Sequence, residues 1–271
     1  GSPGIADAIR VDLQGRTMVP GFIDPHGHFP ETGLNVMCRL DVSTANSGAI
    51  KCLRDVLEKI AAASPGDWVL AMGFDHTTLP EGRFPTRQEL DAAQPDRPVW
   101  LLHVSGHAGA LNSAGMERMG MTGDGYLAGI EAMGELGSTD FGIDDEGLAR
   151  GTEEATREYL SHGVTLAHNA WLERRLLDRM VALDQAGGLS LDLIGLPAAE
   201  LEPELSSDLP TGLKRLLLGP RKLFADGAFQ VQTAFLSQPY HLPVNGDRNW
   251  RGMRYTTPEK LHADIDRLHK A

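Results

Sequence analysis

Two histidines separated by one residue, His26 and His28, are the side chains of this sequence best suited to bind a metal. They follow a short apolar run containing Val19, Phe22 and Ile23, and this run predicts a buried strand. Because alternate side chains of a strand share a face, both imidazoles are expected to point the same way. Such a pair at a strand end is typical of a site for a divalent metal such as zinc. The alternative is a histidine pair held by hydrogen bonds at the strand end.

Five more residues have positions suited to a site. Lys222 lies in an apolar run, where burial would lower its pKa; a surface lysine with a buried stem is the alternative. His107 follows a predicted strand and is expected either to contact a substrate carbonyl or leaving group, or to be structural. Asp75 follows another strand and is expected to line the pocket. Asp24 is expected to accept a hydrogen bond from an imidazole, and His168, at a strand end, to pack.

Other catalytic designs find little support in the sequence. There is no Gly-x-Ser-x-Gly elbow and no Gly-x-x-x-x-Gly-Lys-Ser/Thr loop. The glycines around 120–130 lack the flanking strand and helix of a dinucleotide site. None of these designs is therefore favoured over a metal site at the histidine pair.

Composition limits the class of protein. A chain of 271 residues with 41% hydrophobic content can bury a sizeable core in one or two domains. The formal charge of −12 argues against nucleic acid or an anionic membrane as a partner. Cys38 and Cys52 are interpreted as reduced thiols, and neither a membrane span nor a signal peptide is recognised. We therefore expect a cytoplasmic protein.

Hydrophobic periodicity predicts alternating strands and helices. Helices are expected at about 50–60, 86–94, 146–162, 172–183 and 257–268, and strands at 9–13, 68–72, 99–104, 164–168 and 189–194. Residues 30–47 are expected to be irregular. The alternation predicts a parallel sheet of a (β/α) barrel.

Residues 112–150 interrupt this rhythm with closely spaced glycines. Long segments of this kind in compact domains are either functional or disordered. We interpret the segment as a substrate-side insertion or lid, with a surface loop as the alternative.

The sequence resembles the metal-dependent amidohydrolase superfamily, in particular the amidohydrolase-3 (YtcJ-like) family, which includes N-substituted formamide deformylases. Nearly the whole chain takes part, in the family's order. The matching segments are 18–29 (with Pro-Gly-Phe-Ile-Asp-Pro-His-Gly-His), 68–75, 85–91, 95–99, 106–113, 163–165 and 222–227.

The resemblance implies a (β/α)8 TIM-barrel fold of the metallo-dependent hydrolases. Residues 1–17 would be the remnant of a small β-sandwich, and 18–271 a partial barrel with the insertion at about 112–150. A full barrel takes about 250 residues before insertions. Two histidines of the fifth and sixth family strands and the aspartate of the eighth cannot be matched here. We therefore expect only the N-terminal half of the barrel.

The resemblance also implies roles for site residues. His26, His28 and Lys222 would be metal ligands, with Lys222 carboxylated by CO2 to bridge two metals. His107, Glu131 and Asp75 would bind substrate; a solvated carboxylate is the alternative for Glu131. The expected cofactor is one or two divalent metals, most simply Zn²⁺. The catalytic base stays unknown, because relatives take it from the eighth strand.

The implied activity is hydrolysis of a carbon–nitrogen bond of amide type, in a small non-peptide molecule, through a metal-activated water. One alternative is the same scaffold acting on an ester or a cyclic amide, because fold does not fix function. The other is a non-catalytic fragment or binding protein, since the chain by itself is expected to lack a complete two-metal site and to be inactive. An open half-barrel would expose apolar edges, so self-association is also expected.

Overall fold

The computed structural model describes residues 11–129, 143–207, 210–244 and 246–270, which form an α/β fold. The strands in chain order are β1 (Phe22–Ile23), β2 (Leu40–Asp41), β3 (Val69–Phe74), β4 (Val99–His103), β5 (Ala108–Leu111), β6 (Tyr126–Ala128), β7 (Val164–Leu172), β8 (Asp192–Pro197) and β9 (Leu216–Leu218). The helices are α1 (Glu31–Cys38), α2 (Thr44–Ser47), α3 (Leu53–Ala61), α4 (Arg87–Ala93), α5 (Ser113–Arg118), α6 (Asp145–Ser161), α7 (Arg174–Gln185), α8 (Glu202–Ser207) and α9 (Pro258–Lys270).

The first sheet is parallel throughout and has the order β1-β7-β8-β9. Helices α7 and α8 connect its last three strands, as parallel pairing requires. Leu177 and Met180 of α7 pack against Leu193 of β8, and all three are buried. This sheet places the segment 24–28 and Lys222 at one end of its strands.

The second sheet is formed by residues 40–128 in the order β2-β3-β4-β5-β6. Its first three strands are parallel, and the β4–β5 and β5–β6 pairs are antiparallel. Val56, Ile60 and Leu90 of helices α3 and α4 form a buried core against Phe74 and Leu101 on one face of this sheet. The other face carries Leu70, Trp100 and Leu102 toward the first sheet.

The expectation of a buried first strand is wrong. β1 has only two residues, and Phe22 and Ile23 are 56% and 61% exposed. The strand pairs with β7 on one side and has no partner strand on the other among the described residues. Its apolar side chains therefore lie at an open sheet edge.

The expectation that residues 30–47 are irregular is also wrong, because they contain α1, β2 and α2. Helix α1 has only eight residues, which is too short for hydrophobic periodicity to identify it. It is held by a close crossing with α6, where a side chain on Gly33 would meet the Gly151 carbonyl oxygen at 1.8 Å. Backbone contact at Gly33 and the packing of the Leu34 side chain against Gly151 together hold this crossing.

The glycine-rich segment 112–150 contributes to the second sheet. α5 lies within it, and β6 pairs with β5 through Leu127 and Gly109. Residues 130–142, including Glu131, lie outside the described residues. The lid therefore stays a prediction.

The structure bears only in part on the predicted division into a β-sandwich remnant and a partial barrel. Residues 11–17 contain no strand, and the rest of the expected sandwich remnant lies outside the described residues. The half-barrel likewise stays a prediction. The four parallel strands of the first sheet are the part of the structure that corresponds to it. Among the described helices, none has the length and apolar character needed to cross a membrane.

Candidate functional site

A cavity of about 440 Å³ lies between the two sheets. The first sheet and its loops contribute His26, His28 and Lys222 to the wall. The loop that joins β4 to β5 contributes His107 from the opposite side. Four of the residues selected from the sequence therefore face one space.

A turn, and not strand alternation, brings the histidine pair together. β1 ends at Ile23, and His28 lies in an isolated bridge with Asn169 of β7. The two imidazole ring centroids are 6.1 Å apart, with the ring planes at 89°. The two side chains are adjacent, as expected. They are not adjacent for the expected reason, because they do not lie on one face of a strand.

Hydrogen bonds to neighbouring residues hold the turn in place. Asp24 accepts from the His26 backbone N–H at 3.2 Å and from the Tyr159 hydroxyl at 3.0 Å. The expectation that its partner is an imidazole is therefore wrong. The Nδ1 atom of His168 donates to the Pro25 carbonyl at 2.5 Å. Asp24 and His168 thus hold the backbone that carries the pair.

Lys222 is half-buried in the wall of the cavity. Its backbone N–H donates to the Pro197 carbonyl at 2.8 Å, which aligns it with the end of β8. The Nζ atom lies 4.9 Å from the ring centroid of Phe224. A cation–π contact of this kind stabilises the charged amine in a partly desolvated place.

The electrostatics of the cavity favour neutral imidazoles. Burial lowers the pKa of His28, and the nearby charges of His26 and Lys222 lower it further, against the opposing effect of Glu31. Burial, followed by Lys222 and His28, lowers the pKa of His107. Both rings are therefore neutral at neutral pH, the form in which a histidine nitrogen binds a metal or accepts a hydrogen bond.

The cavity wall carries side chains of the types that bind a divalent metal. His26 and His28 supply two ring nitrogens from one turn, and a deprotonated or carboxylated Lys222 would supply a third donor. His107 is half-buried, and its Nδ1 lies 3.4 Å from the Tyr255 hydroxyl. It is thus fixed across the cavity from the pair.

Among the cavity residues that were not anticipated from the sequence are Glu31, Asn35 and Arg39, which belong to α1 and its end. Arg39 is only 13% exposed and donates to Glu31 at 2.6 Å and to Asn35 at 2.5 Å. The spacing of Glu31 and Asn35, four residues apart, was the available signal. This spacing is informative only on a helix, and the segment was expected to be irregular.

Asp75 is not among the residues that line this cavity. It lies instead with His76 and His103, where one possible donor atom from each residue lies within 4.8 Å of the others. The Asp75 carboxylate accepts from the backbone and hydroxyl of Thr77, at 2.9 and 2.6 Å. The second sheet therefore contains a second group of metal-type ligands, which sequence inspection did not combine.

Comparison with known proteins gives a consistent result. The model of the Amidohydrolase family matches residues 10–271. The chain is 36% identical over 116 residues to an N-substituted formamide deformylase of Arthrobacter pascens, covering 42% of this chain and 21% of that protein. It is 26% identical over 259 residues to YtcJ of Bacillus subtilis (strain 168), named as an amidohydrolase, covering 88% of this chain and 49% of that protein.

Two solved structures share the fold. An uncharacterized metal-dependent hydrolase from Pyrococcus horikoshii OT3 superposes with a TM-score of 0.67 at 22% identity, covering 93% of this chain and 51% of that one. A second, from Pyrococcus furiosus, gives 0.63 at 23% identity, covering 93% and 53%. The chain thus spans about half, or less, of the length of the relatives that it matches.

Proposed function

The chain belongs to the Amidohydrolase family, and from this premise we propose that it forms part of a metal-dependent hydrolase that cleaves a carbon–nitrogen bond of amide type in a small, non-peptide substrate. The observation that carries the proposal is the convergence of His26, His28, Lys222 and His107 on one cavity. Zinc, carboxylation of Lys222 and the amide bond are parts of the same proposal. When bound, the metal supplies a Lewis acid that polarises the scissile carbonyl and activates water.

The residues of the cavity have different roles in metal binding, positioning and substrate contact. His26 and His28 would hold the metal through ring nitrogens, and the hydrogen bonds of Asp24 fix the turn that carries them. His107 contacts the substrate carbonyl or leaving group from the opposite wall. Its lowered pKa keeps it neutral, so that one ring nitrogen can donate while the other accepts.

The apolar part of the substrate packs against the second sheet. Leu70 and Trp100 are 8% and 4% exposed, and with Leu102 they form a wall of the cavity. An aliphatic or aromatic substituent on the amide fits this wall, because its burial there removes apolar surface from water. The name of the relative from Arthrobacter pascens, an N-substituted formamide deformylase, supports a substrate of this kind.

The first prediction tests the histidine pair. Replacement of both His26 and His28 by Ala lowers bound zinc, because two ring nitrogens are lost, and abolishes hydrolysis. Bound zinc is measured by elemental analysis and hydrolysis by release of the amine, on the parent protein and on the double variant. His162→Ala is the matched control, since His162 is exposed and pairs with Glu158.

A substrate panel separates the remaining alternatives. An amide, an ester and a lactam with the same aromatic substituent are compared by kcat/KM. Preference for the amide supports the proposal, and preference for the ester or the lactam replaces it with that activity. Zinc content unaffected by the double replacement would refute the metal site, and binding without turnover of any of the three would identify a binding protein.

A further inference from the structure

The segment after β3 and the end of β4 form a cluster of ligand-type side chains in the second sheet: Asp75, His76 and His103. One possible donor atom from each residue lies within 4.8 Å of the others. His103 is 0% exposed, and its Nε2 lies 3.7 Å from the nearer Asp75 oxygen. The parallel pairing of β3 with β4 therefore brings these three polar side chains together.

Two nitrogens of this cluster are buried without a hydrogen bond. They are Nε2 of His103 and Nδ1 of His76. Buried polar atoms in folded proteins are paired in the great majority of cases, because an unpaired one has lost its hydrogen bonds to water without replacement. Two unpaired nitrogens thus lie beside one carboxylate. A metal bound by His76 through Nδ1 and by His103 through Nε2, once the His103 ring proton has moved to Nδ1, would account for both.

The protonation states match such a ligand. Burial lowers the pKa of His76. Burial, followed by the neighbouring His76, lowers the pKa of His103 to about 4. Burial opposes ionisation of Asp75, but the hydrogen bonds from Thr77 outweigh it and hold the pKa of that carboxyl below its usual value. At neutral pH the cluster consists of two neutral imidazoles and one carboxylate.

We propose that Asp75, His76 and His103 form a binding site for a divalent metal of the zinc type, separate from the site at His26 and His28. Two imidazole nitrogens and one carboxylate oxygen are a ligand set that zinc takes, with a fourth position left for water. Phe84 closes the site on one side, with its ring centroid 5.2 Å from that of His76 and 5.8 Å from that of His103. The apolar ring shields the ligands and limits their rotation.

The tautomer of His103 changes when the metal binds. Without metal, the Ser105 backbone N–H donates to Nδ1 at 3.1 Å, so the ring proton resides on Nε2. With metal on Nε2, the proton resides on Nδ1 and donates to the Ser105 hydroxyl oxygen, which lies at 2.8 Å. The backbone hydrogen bond is given up, and the ring gains the oriented N–H donor typical of metal-bound histidines.

The metal would also steady the substrate cavity. The same Ser105 hydroxyl oxygen accepts a hydrogen bond from the His107 backbone N–H at 3.2 Å. A metal that fixes His103 thereby fixes Ser105 and the loop that carries His107 into the cavity. The role of this site is to position a residue of the cavity.

The experiment uses Zn²⁺ as the probe and residues 1–271 with the double replacement His26→Ala/His28→Ala, which removes the cavity site. This protein is expected to bind one Zn²⁺ per chain. Adding His76→Phe, which keeps a ring next to Phe84 but removes Nδ1, abolishes that binding; adding His162→Ala leaves it unchanged. The outcome is independent of the proposed hydrolase, because the cavity pair is absent from every variant.

Imidazole NMR gives a second readout that adventitious binding would not reproduce. On addition of Zn²⁺, the His103 resonances shift from the Nε2–H to the Nδ1–H tautomer. If the double variant does not fold, the chain with His26 and His28 intact serves instead, and His76→Phe lowers its bound zinc by one equivalent. Zinc binding insensitive to His76→Phe, or no zinc in the folded double variant, would overturn the proposal.

Discussion

Lys222 is the cavity residue whose chemistry depends most on its surroundings. It stands half-buried with Nζ over the Phe224 ring, and its charge acts on both His28 and His107. An ammonium in this place repels a metal held by His28, whereas a carboxylated amine attracts one. The proposed metal centre therefore requires Lys222 to be modified or deprotonated.

Lys222→Ala is expected to lose activity because the third donor is removed. Added short-chain carboxylic acids together with Zn²⁺ should restore part of the rate, since a free carboxylate can occupy the place of the carbamate. kcat/KM with and without acetate or propionate is the measurement. Lys260→Ala, at an exposed ion pair with Asp264, is the control that keeps full activity. Full activity of untreated Lys222→Ala would exclude the bridge.

At this scale the sequence predicts residue types better than their geometry. His26, His28, Lys222 and His107 were selectable from their motifs, and all four line the cavity. The sequence did not reveal why the two histidines lie close together. A turn held by Asp24 and His168 sets their positions. The cluster of Asp75, His76 and His103 was missed, because its members are joined only by the parallel pairing of β3 and β4.

At the scale of elements, the crossing of α1 and α6 positions Glu31 and Arg39 in the cavity wall. A methyl group on Gly33 would come within 1.8 Å of the Gly151 oxygen and 2.6 Å of the Ala155 nitrogen. Both atoms are backbone and cannot move aside without separating the helices. The crossing thus depends on the absence of a side chain.

Gly33→Ala should lower the free energy of unfolding by about 2 kcal/mol through this overpacking. Gly66→Ala is the matched control, because the nearest atom to its added methyl group is the Trp68 carbonyl oxygen at 3.7 Å. Urea unfolding followed by circular dichroism compares the two variants. Equal stability of Gly33→Ala and the parent chain would show that the helices can separate at little cost.

The start of α4 links helix stability to pH. Glu89 accepts from the Thr86 backbone N–H at 2.7 Å and from two nitrogens of Arg83 at 2.8 Å each. The hydrogen bonds from Arg83, followed by that from Thr86, lower the pKa of Glu89 to about 2. Because the folded-state pKa lies below the unfolded value, the stabilisation is present above pH 4.5 and is lost as pH falls toward 2.

Glu89→Gln is therefore expected to lower the free energy of unfolding by about 1 kcal/mol at neutral pH, a modest amount because the side chain is 33% exposed. The difference from the parent chain should shrink as pH falls from 4.5 toward 2. Urea titrations at several pH values measure it. Glu58→Gln, at an exposed pair with Arg54, serves as control. A difference independent of pH would contradict the assignment.

Elements with strong local signals were predictable, and those that depend on distant contacts were not. The capping residue Thr86 and the apolar spacing of Leu53 and Ile60 identified α4 and α3, which the structure confirms. Helix α1 was missed because it is short and is stabilised by contacts with the distant helix α6. β1 was expected to be buried because its sequence is apolar. An apolar run does not show how many neighbouring strands will cover it, and so the expectation failed.

At the scale of the whole molecule, β1 pairs with β7, which lies far from it in the sequence. Residues 40–128 build a separate sheet between them, and Ile23 pairs with Leu166. Local patterns carry no information on such long-range pairing. The arrangement has a functional consequence, since the space between the two sheets is the cavity in which the candidate residues meet.

The open edge of the first sheet leads to the last prediction. Val19, Phe22 and Ile23 are 59%, 56% and 61% exposed, and among the described residues β1 has a partner strand on one side only. An unpaired apolar edge is a template for association with another strand. Residues 1–271 are therefore expected to associate with a second copy as concentration rises.

Ile23→Lys should weaken this association, because a lysine on an edge strand opposes pairing with a second strand. Sedimentation velocity across a range of concentrations measures the weight-average mass of the parent chain and of the variant. Leu242→Lys is the control, since Leu242 is 71% exposed but lies outside the strands, and it should associate as the parent does. A parent chain that stays monomeric at all concentrations, or an Ile23→Lys variant that associates equally well, would show that this edge is not an interface between copies.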